Sequence, residues 1–195
     1  MACSIICSTE KSSRIFCELY KSALPFTAAG RFFDLAFAMR TQEKDHYRYK
    51  LGILGLKALL NALSKYGYSD IAYKTVDRDD YPSYGYWKKL GATTLWECWE
   101  NISFGSQNHH MYANVVSWMF RNVGGLQNAG IAYDKCLLKP YFFADSCSAS
   151  AKTETPRGLI SFAWEKTGNR FVADAVIPEG TDAILELPGQ APVQV

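Results

Sequence analysis

"SQNHHMYANVVSWMFRNVGGL", residues 106–126, is where the periodicity of the chain changes. Up to Val123, the apolar residues Met111, Val115, Trp118 and Met119 recur at helical intervals, and Ser106 or Asn108 is placed to cap the helix they predict. Gly124 and Gly125 then stop it. Beyond them the period falls to two. "LISFAW" (159–164) sets Ile160, Phe162 and Trp164 on one face, and "RFVADAVI" (170–177) does the same with Phe171, Ala173, Ala175 and Ile177. "TGN" at 167–169 between them is a hairpin turn, and "TDAILELP" (181–188) is a further strand closed by Pro188. Helices in one block and strands in the next predict two packed units rather than a βαβ sheet. The boundary is expected between residues 122 and 132, with helices before it and a small, mainly antiparallel β-sandwich over 125–195.

Working back from that boundary, "GILGLKALLNALSKYG" (52–67) places Leu56, Leu59, Leu60 and Leu63 on one helical face, with Gly67 as a stop. Ser69 is expected to cap a helix over "DIAYKTVDR" (70–78). "DDYPSYGY" (79–86) reads as a turn built on Pro82 and Gly85. "YWKKL" (86–90) reads as a short helix ending at Gly91, and "ATTLWECWE" (92–100) as irregular. Residues 1–45 carry a helix-like apolar pattern in Phe33, Leu35, Ala36, Phe37 and Met39, but are otherwise poorly assignable.

The 195 residues are 48% hydrophobic, enough to bury a sizeable core in one domain or two small ones. A net charge of +2 gives no electrostatic reason to expect nucleic acid or a membrane as partner. No run approaches the ~18 apolar residues of a membrane span. Glu10, Lys11 and Arg14 break the apolar start, so a signal peptide is not expected; the compartment stays open, with the cytoplasm favoured. Six cysteines, at 3, 7, 17, 98, 136 and 147, include no C-x-x-C pair and are expected to be reduced and unpaired. There is no Gly-rich phosphate loop, no H-E-x-x-H and no G-x-S-x-G. Three histidines exclude a His-rich metal site. Neither cofactor nor metal is expected.

The chemistry concentrates in "GATTLWECWE" (91–100), where Glu97 stands between Trp96 and Trp99 and is followed by Glu100. A carboxylate partly desolvated by indoles can serve as general acid or base, and indoles can stack on the apolar face of a sugar. Asn108, His109 and His110 follow shortly and can hold hydroxyls. The alternative is structural. Tryptophans three apart suit a helix core, Glu97 and Glu100 would then be its solvated edge, and Asn108 a helix cap.

Four strings in order, "GILGLKALLNALSKYGYSDIAYK", "DYPSYGYWKKLGATTLWECW", "SQNHHMYANVVSWMFRNVGGL" and "RGLISFAWEKTGNRFVADAVIPEGTDAILELP", resemble the C-terminal part of the bacterial-type α-L-rhamnosidases, glycoside hydrolase family 78. The resemblance runs from Gly52 to Pro188. It implies the last helices of an (α/α)6 barrel over 46–124, followed by the C-terminal β-sandwich. It also implies inverting hydrolysis of a terminal α-L-rhamnoside, with Glu97 as general base and His109 lining the sugar pocket. Asn108 would lie beside it, and Trp96 and Trp99 would shape the pocket wall or the core behind it. Glu97 and His109 should share one concave surface. An inverting pair stands about 6.5–9.5 Å apart so that water fits between base and sugar. In the family, the general acid lies in an upstream segment with no counterpart here. The chain is therefore expected to be inactive alone, as a fragment or a non-catalytic carbohydrate- or partner-binding remnant. Its partners would be a rhamnose-containing glycoside and the missing barrel half, or a second copy, met through apolar surface exposed near residues 53–63. Should the chain prove active, Glu100, Asp79 and Asp80 are the first candidates for the acid.

Overall fold

The computed structural model describes residues 53–100, 105–144 and 146–195. The readings made on residues 1–45, and cysteines 3, 7 and 17, lie outside these. The chain divides into two compact units, Met1–Tyr112 and Ala113–Val195.

The first unit holds helices α1 (Ile53–Lys65), α2 (Ser69–Val76) and α3 (Tyr84–Lys89), then a 3-10 turn over His110–Tyr112. The leucine stripe decides α1. Leu56, Leu59, Leu60 and Leu63 are all buried, each contributing about 1.5–3 kcal/mol by leaving water. The apolar surface expected to be exposed near residues 53–63 is therefore covered at these four positions. The outward positions are Lys57 and Ala58. α1 packs on α2.

Ser69 does not cap α2 but lies within its first turn; the cap position is Tyr68, with no side-chain bond. The capping hydroxyl belongs to α3 instead. Ser83 is extended, and its Oγ accepts from the Tyr86 amide at 3.0 Å. Gly85, read as a turn residue, is inside that helix. A Cβ there would stand 2.4 Å from the Arg78 carbonyl oxygen, so glycine is required by close backbone approach rather than by a turn.

The second unit opens with α4 (Asn114–Trp118), which runs into a π turn over Met119–Val123. The long capped helix expected here is thus shorter and irregular. Its buried side chains are Val115, Trp118 and Val123. Met111 and Met119, assigned to the apolar face, are 40% and 44% exposed. The π turn inserts one residue into the helical count, which moves the inward position after Trp118 on to Val123. Gly125, at φ +80°, ends the helical stretch, and a Cβ on it would meet Pro140 N at 2.8 Å.

Among the described residues seven strands follow: β1 (Leu126–Asn128), β2 (Lys135–Leu138), β3 (Ser146–Thr155), β4 (Gly158–Thr167), β5 (Arg170–Val176), β6 (Asp182–Leu185) and β7 (Val193–Gln194). They form a four-stranded sheet, β1-β2-β6-β7, and a three-stranded sheet, β3-β4-β5. All pairings are antiparallel except β2 with β6, which run parallel. The sheets share one core. Leu126, Cys136, Leu138 and Ala183 come from one, Cys147, Ala151, Ile160, Phe162 and Trp164 from the other. The alternation in "LISFAW" is realised, and Trp164 Nε1 donates to the Val123 carbonyl at 3.1 Å. "TGN" makes the β4–β5 turn, with Thr167 opposite Arg170. On β5 the alternation does not translate into burial. Ala173 and Ala175 remain exposed. Cys98, Cys136 and Cys147 are free thiols; burial pushes the Cys136 thiol up to about 11.

Phe162 is among the largest fully buried side chains of the sandwich core. Phe162→Ala is expected to lower the stability of the second unit by about 3–5 kcal/mol, measured by denaturant unfolding. A loss below about 1 kcal/mol would contradict the shared-core description.

Candidate active site

Trp87, on the buried face of α3, organises the region around Glu97. Its ring meets Tyr84, Trp96, Trp99 and Tyr112 at centroid distances of 5.7, 5.9, 4.5 and 5.5 Å. Tyr84 and Tyr112 pack edge-on against it, an arrangement favoured by the ring quadrupoles. Its Nε1 donates to the Trp99 carbonyl at 3.1 Å, inside the protein. Tyr84 Oη donates to the Tyr112 carbonyl at 2.8 Å, and burial pushes its phenol well above the usual range. The cluster thus fixes both the 96–99 segment and the 3-10 turn against α3.

Trp96 and Trp99 are 6% and 8% exposed, so their rings belong to this cluster. They are not on a helix: the segment from Ala92 to Glu100 contains only bends and irregular chain. Instead, residues 94–97 lie beside residues 106–109 as two antiparallel arms. Glu97 N donates to the Ser106 carbonyl at 2.8 Å and His109 N to the Leu95 carbonyl at 2.7 Å. The Thr94 hydroxyl donates to the Gln107 carbonyl.

Glu97 is half-buried, and its Oε2 accepts from the Ser106 amide at 3.0 Å. That bond aims the carboxylate along the facing arm. His109 is half-buried as well. Its Nδ1 accepts from the Met111 amide at 3.3 Å, so in the neutral ring Nε2 carries the proton and is the atom able to donate to a hydroxyl. The His110 ring stacks on it at 5.4 Å, nearly parallel. Asn108 is exposed, and its amide donates to Ser106 Oγ at 3.2 Å; it caps no helix. Glu97 and His109 therefore sit on adjoining arms, with Asn108 beside His109 and the two tryptophans inside. Trp87, Tyr112, Thr94 and Tyr81 were not singled out in the sequence, and nothing in their local pattern marks them.

The other acidic side chains of this region are otherwise engaged. Asp79 pairs with Lys89 and Asp80 with Arg78. Glu100 is exposed and accepts from the Tyr81 hydroxyl, which holds its carboxyl below the usual range. A general acid needs the opposite shift, so Glu100 is a poor proton donor. Among the described residues, no group of three or more His, Cys, Asp and Glu is placed to hold a metal. No helix among them is long and apolar enough to cross a membrane.

The chain is a helical unit followed in sequence by a small unit of two β-sheets. Residues 34–123 match the bacterial α-L-rhamnosidase six-hairpin glycosidase domain, and residues 125–195 the bacterial α-L-rhamnosidase C-terminal domain. An α-L-rhamnosidase of Streptomyces avermitilis is 29% identical over 187 residues, covering 91% of this chain and 18% of its own length. The structure of an α-L-rhamnosidase from Dictyoglumus thermophilum superposes with a TM-score of 0.77 at 28% identity, over 93% of this chain and 21% of that one. A structure of the Streptomyces avermitilis α-L-rhamnosidase complexed with L-rhamnose gives 0.75 at 26% identity, over 93% and 18%. The chain belongs to the bacterial α-L-rhamnosidase family. It corresponds to the C-terminal region of those enzymes and spans about a fifth of their length.

The Tyr81–Glu100 contact carries a pH signature. Removing the donor in Tyr81→Phe should raise the Glu100 carboxyl pKa toward its usual value of 4.5, read by NMR titration. The sign follows from the lowered folded pKa. What the contact adds to stability through Glu100 is present above the unfolded pKa and lost as pH falls through the folded one. On the alkaline side, the Glu100 bond is the main cause raising the Tyr81 phenol from 10.0 to about 12. That contribution is present below 10 and lost as pH rises toward 12. An unchanged Glu100 titration in the variant would show that the contact does not form in solution.

Proposed function

We propose that this region forms one wall of the sugar pocket of an inverting α-L-rhamnosidase, with Glu97 as general base. The observation that carries the reading is the bond from the Ser106 amide to Glu97 Oε2 at 3.0 Å. It holds one carboxylate oxygen, and among the described residues no hydrogen bond reaches Oε1, the atom that would accept a proton from water. In the reaction, Glu97 takes that proton as the water oxygen attacks the anomeric carbon on the face opposite the leaving group. His109 Nε2 and the side-chain carboxamide of Asn108 bind sugar hydroxyls. Trp96 and Trp99 support the wall from behind, as part of the Trp87 cluster.

Inversion also needs a carboxylic acid to protonate the departing oxygen. Asp79 and Asp80 are engaged with Lys89 and Arg78, and the Tyr81 hydroxyl holds the Glu100 carboxyl below its usual range, so none of the three suits that role. The proposal assigns the acid to the part of the longer relatives that this chain does not match, so the 195 residues alone should not turn over a rhamnoside. The same reading takes residues 46–124 as the end of the (α/α)6 barrel and 125–195 as the sandwich, and takes a rhamnose-containing glycoside as the substrate.

The test is a hybrid enzyme in which this chain replaces the matching C-terminal region of the Streptomyces avermitilis α-L-rhamnosidase. It should hydrolyse an aryl α-L-rhamnoside. Glu97→Gln should lower kcat by about 10²–10⁴-fold with Tm unchanged, since the amide oxygen of glutamine still accepts from Ser106. A hybrid that is active both with and without Glu97 would rule out the base assignment. A folded hybrid that is inactive but binds L-rhamnose would favour the non-catalytic, carbohydrate-binding reading.

A further inference from the structure

The two arms around Glu97 are out of step by one residue. Between the rungs at Leu95–His109 and Glu97–Ser106, the first arm advances two residues and the second three. Neither arm is assigned as a strand, but one residue more on one side than on the other has the form of a β-bulge, a device that re-aims a side chain next to it. The mismatch places the Gln107 carbonyl and the Asn108 amide between rungs. Gln107 and Asn108 are exposed, so water could serve both backbone groups, yet the structure gives each a protein partner. Here each is met by a hydroxyl. Thr94 Oγ1 donates to the Gln107 carbonyl, and Ser106 Oγ accepts from the Asn108 amide at 3.2 Å.

We propose that Thr94 and Ser106 are positioning residues whose hydroxyls hold this bulge, and thereby set how Asn108 and His109 are aimed relative to Glu97. The consequence for catalysis rests on Glu97 being the base. Without the bulge, the arms would pair in a regular register. A one-residue slip turns every side chain of one arm to the other face, which would take the His109 imidazole away from the side it now occupies. Thr94 reaches Gln107 through a hydroxyl on a β-branched stem, so serine keeps the donor and valine keeps the shape without it.

The experiment compares Thr94→Val, Thr94→Ser and Ser106→Ala. In the 195-residue chain, amide hydrogen exchange of His109, followed by NMR, reports the rung to Leu95 directly. Thr94→Val should speed it roughly tenfold, the scale of one net hydrogen bond, and Ser106→Ala should do likewise, while Thr94→Ser keeps it near the parent. In the hybrid enzyme, Thr94→Val should lower kcat about 10–100-fold, as a misplaced pocket group does. KM should move less, and Thr94→Ser should restore kcat. Unchanged exchange in Thr94→Val and Ser106→Ala would overturn the bulge as a device these hydroxyls hold. Faster exchange with unchanged kcat, in a hybrid that Glu97→Gln inactivates, would overturn its catalytic consequence while leaving the base assignment standing. A hybrid indifferent to Glu97→Gln would sink the base assignment instead, whatever the exchange shows.

Discussion

The helical unit is organised around the burial of one indole. Trp87 is 2% exposed. A ring of this size removes a large apolar area from water, but its N–H must then find an acceptor inside. The Trp99 carbonyl supplies it. That single bond ties a helix to an otherwise irregular segment, and the ring contacts to Trp96 and Tyr112 extend the tie to both ends of the candidate site. The placement of Glu97 follows. With Trp96 and Trp99 turned inward, the residue between them is carried to the border of the cluster, half-buried and facing the 106–109 arm.

A carboxylate among tryptophans is thus accommodated without being sealed in. The flanking indoles turn into the Trp87 cluster, and the carboxylate is met by a backbone amide. Backbone donors suit a carboxylate that must hold a fixed direction, because they move little and do not titrate. His109 is handled in the same way, with its Nδ1 held by the Met111 amide. The Ser106 amide belongs to the 106–109 arm and the Met111 amide to the 3-10 turn that follows it, so the conformation of one short stretch governs how both side chains are held. That explains why irregular structure, a bulge and a 3-10 turn, lies where a regular helix was expected.

Much of the fold was legible in the sequence, for identifiable reasons. The leucines of α1 and the alternation of β4 face a core directly, and there period translates into burial without interference. The reading weakened where another constraint intervened. Gly85 looked like a turn residue because its reason, the Arg78 carbonyl 2.4 Å from a would-be Cβ, is a tertiary approach that no local pattern encodes. Met119 looked inward by a 3.6-residue count, but it stands 44% exposed at the start of the π turn. β2 and β3 were not marked at all, and the parallel pairing of β2 with β6 joins segments far apart in the chain. The site shows the same division. Glu97, Asn108 and His109 were named from the sequence. The three-residue spacing of Trp96 and Trp99 permitted a helix that does not exist, and Thr94, Trp87 and Tyr112 act through long-range bonds that spacing cannot show.

The central claim is that Glu97 activates the attacking water in a displacement with inversion. Chemical rescue tests it most directly. In the hybrid enzyme, Glu97→Gly removes the base and leaves room on the water side of the anomeric carbon. Azide, already an anion, needs no base. It should restore cleavage of an aryl α-L-rhamnoside and yield the β-L-rhamnosyl azide, identified by NMR of the product. The account predicts azide-dependent recovery with that anomer. Recovery giving the α-azide, or no recovery in a variant that is folded and still binds L-rhamnose, would contradict it.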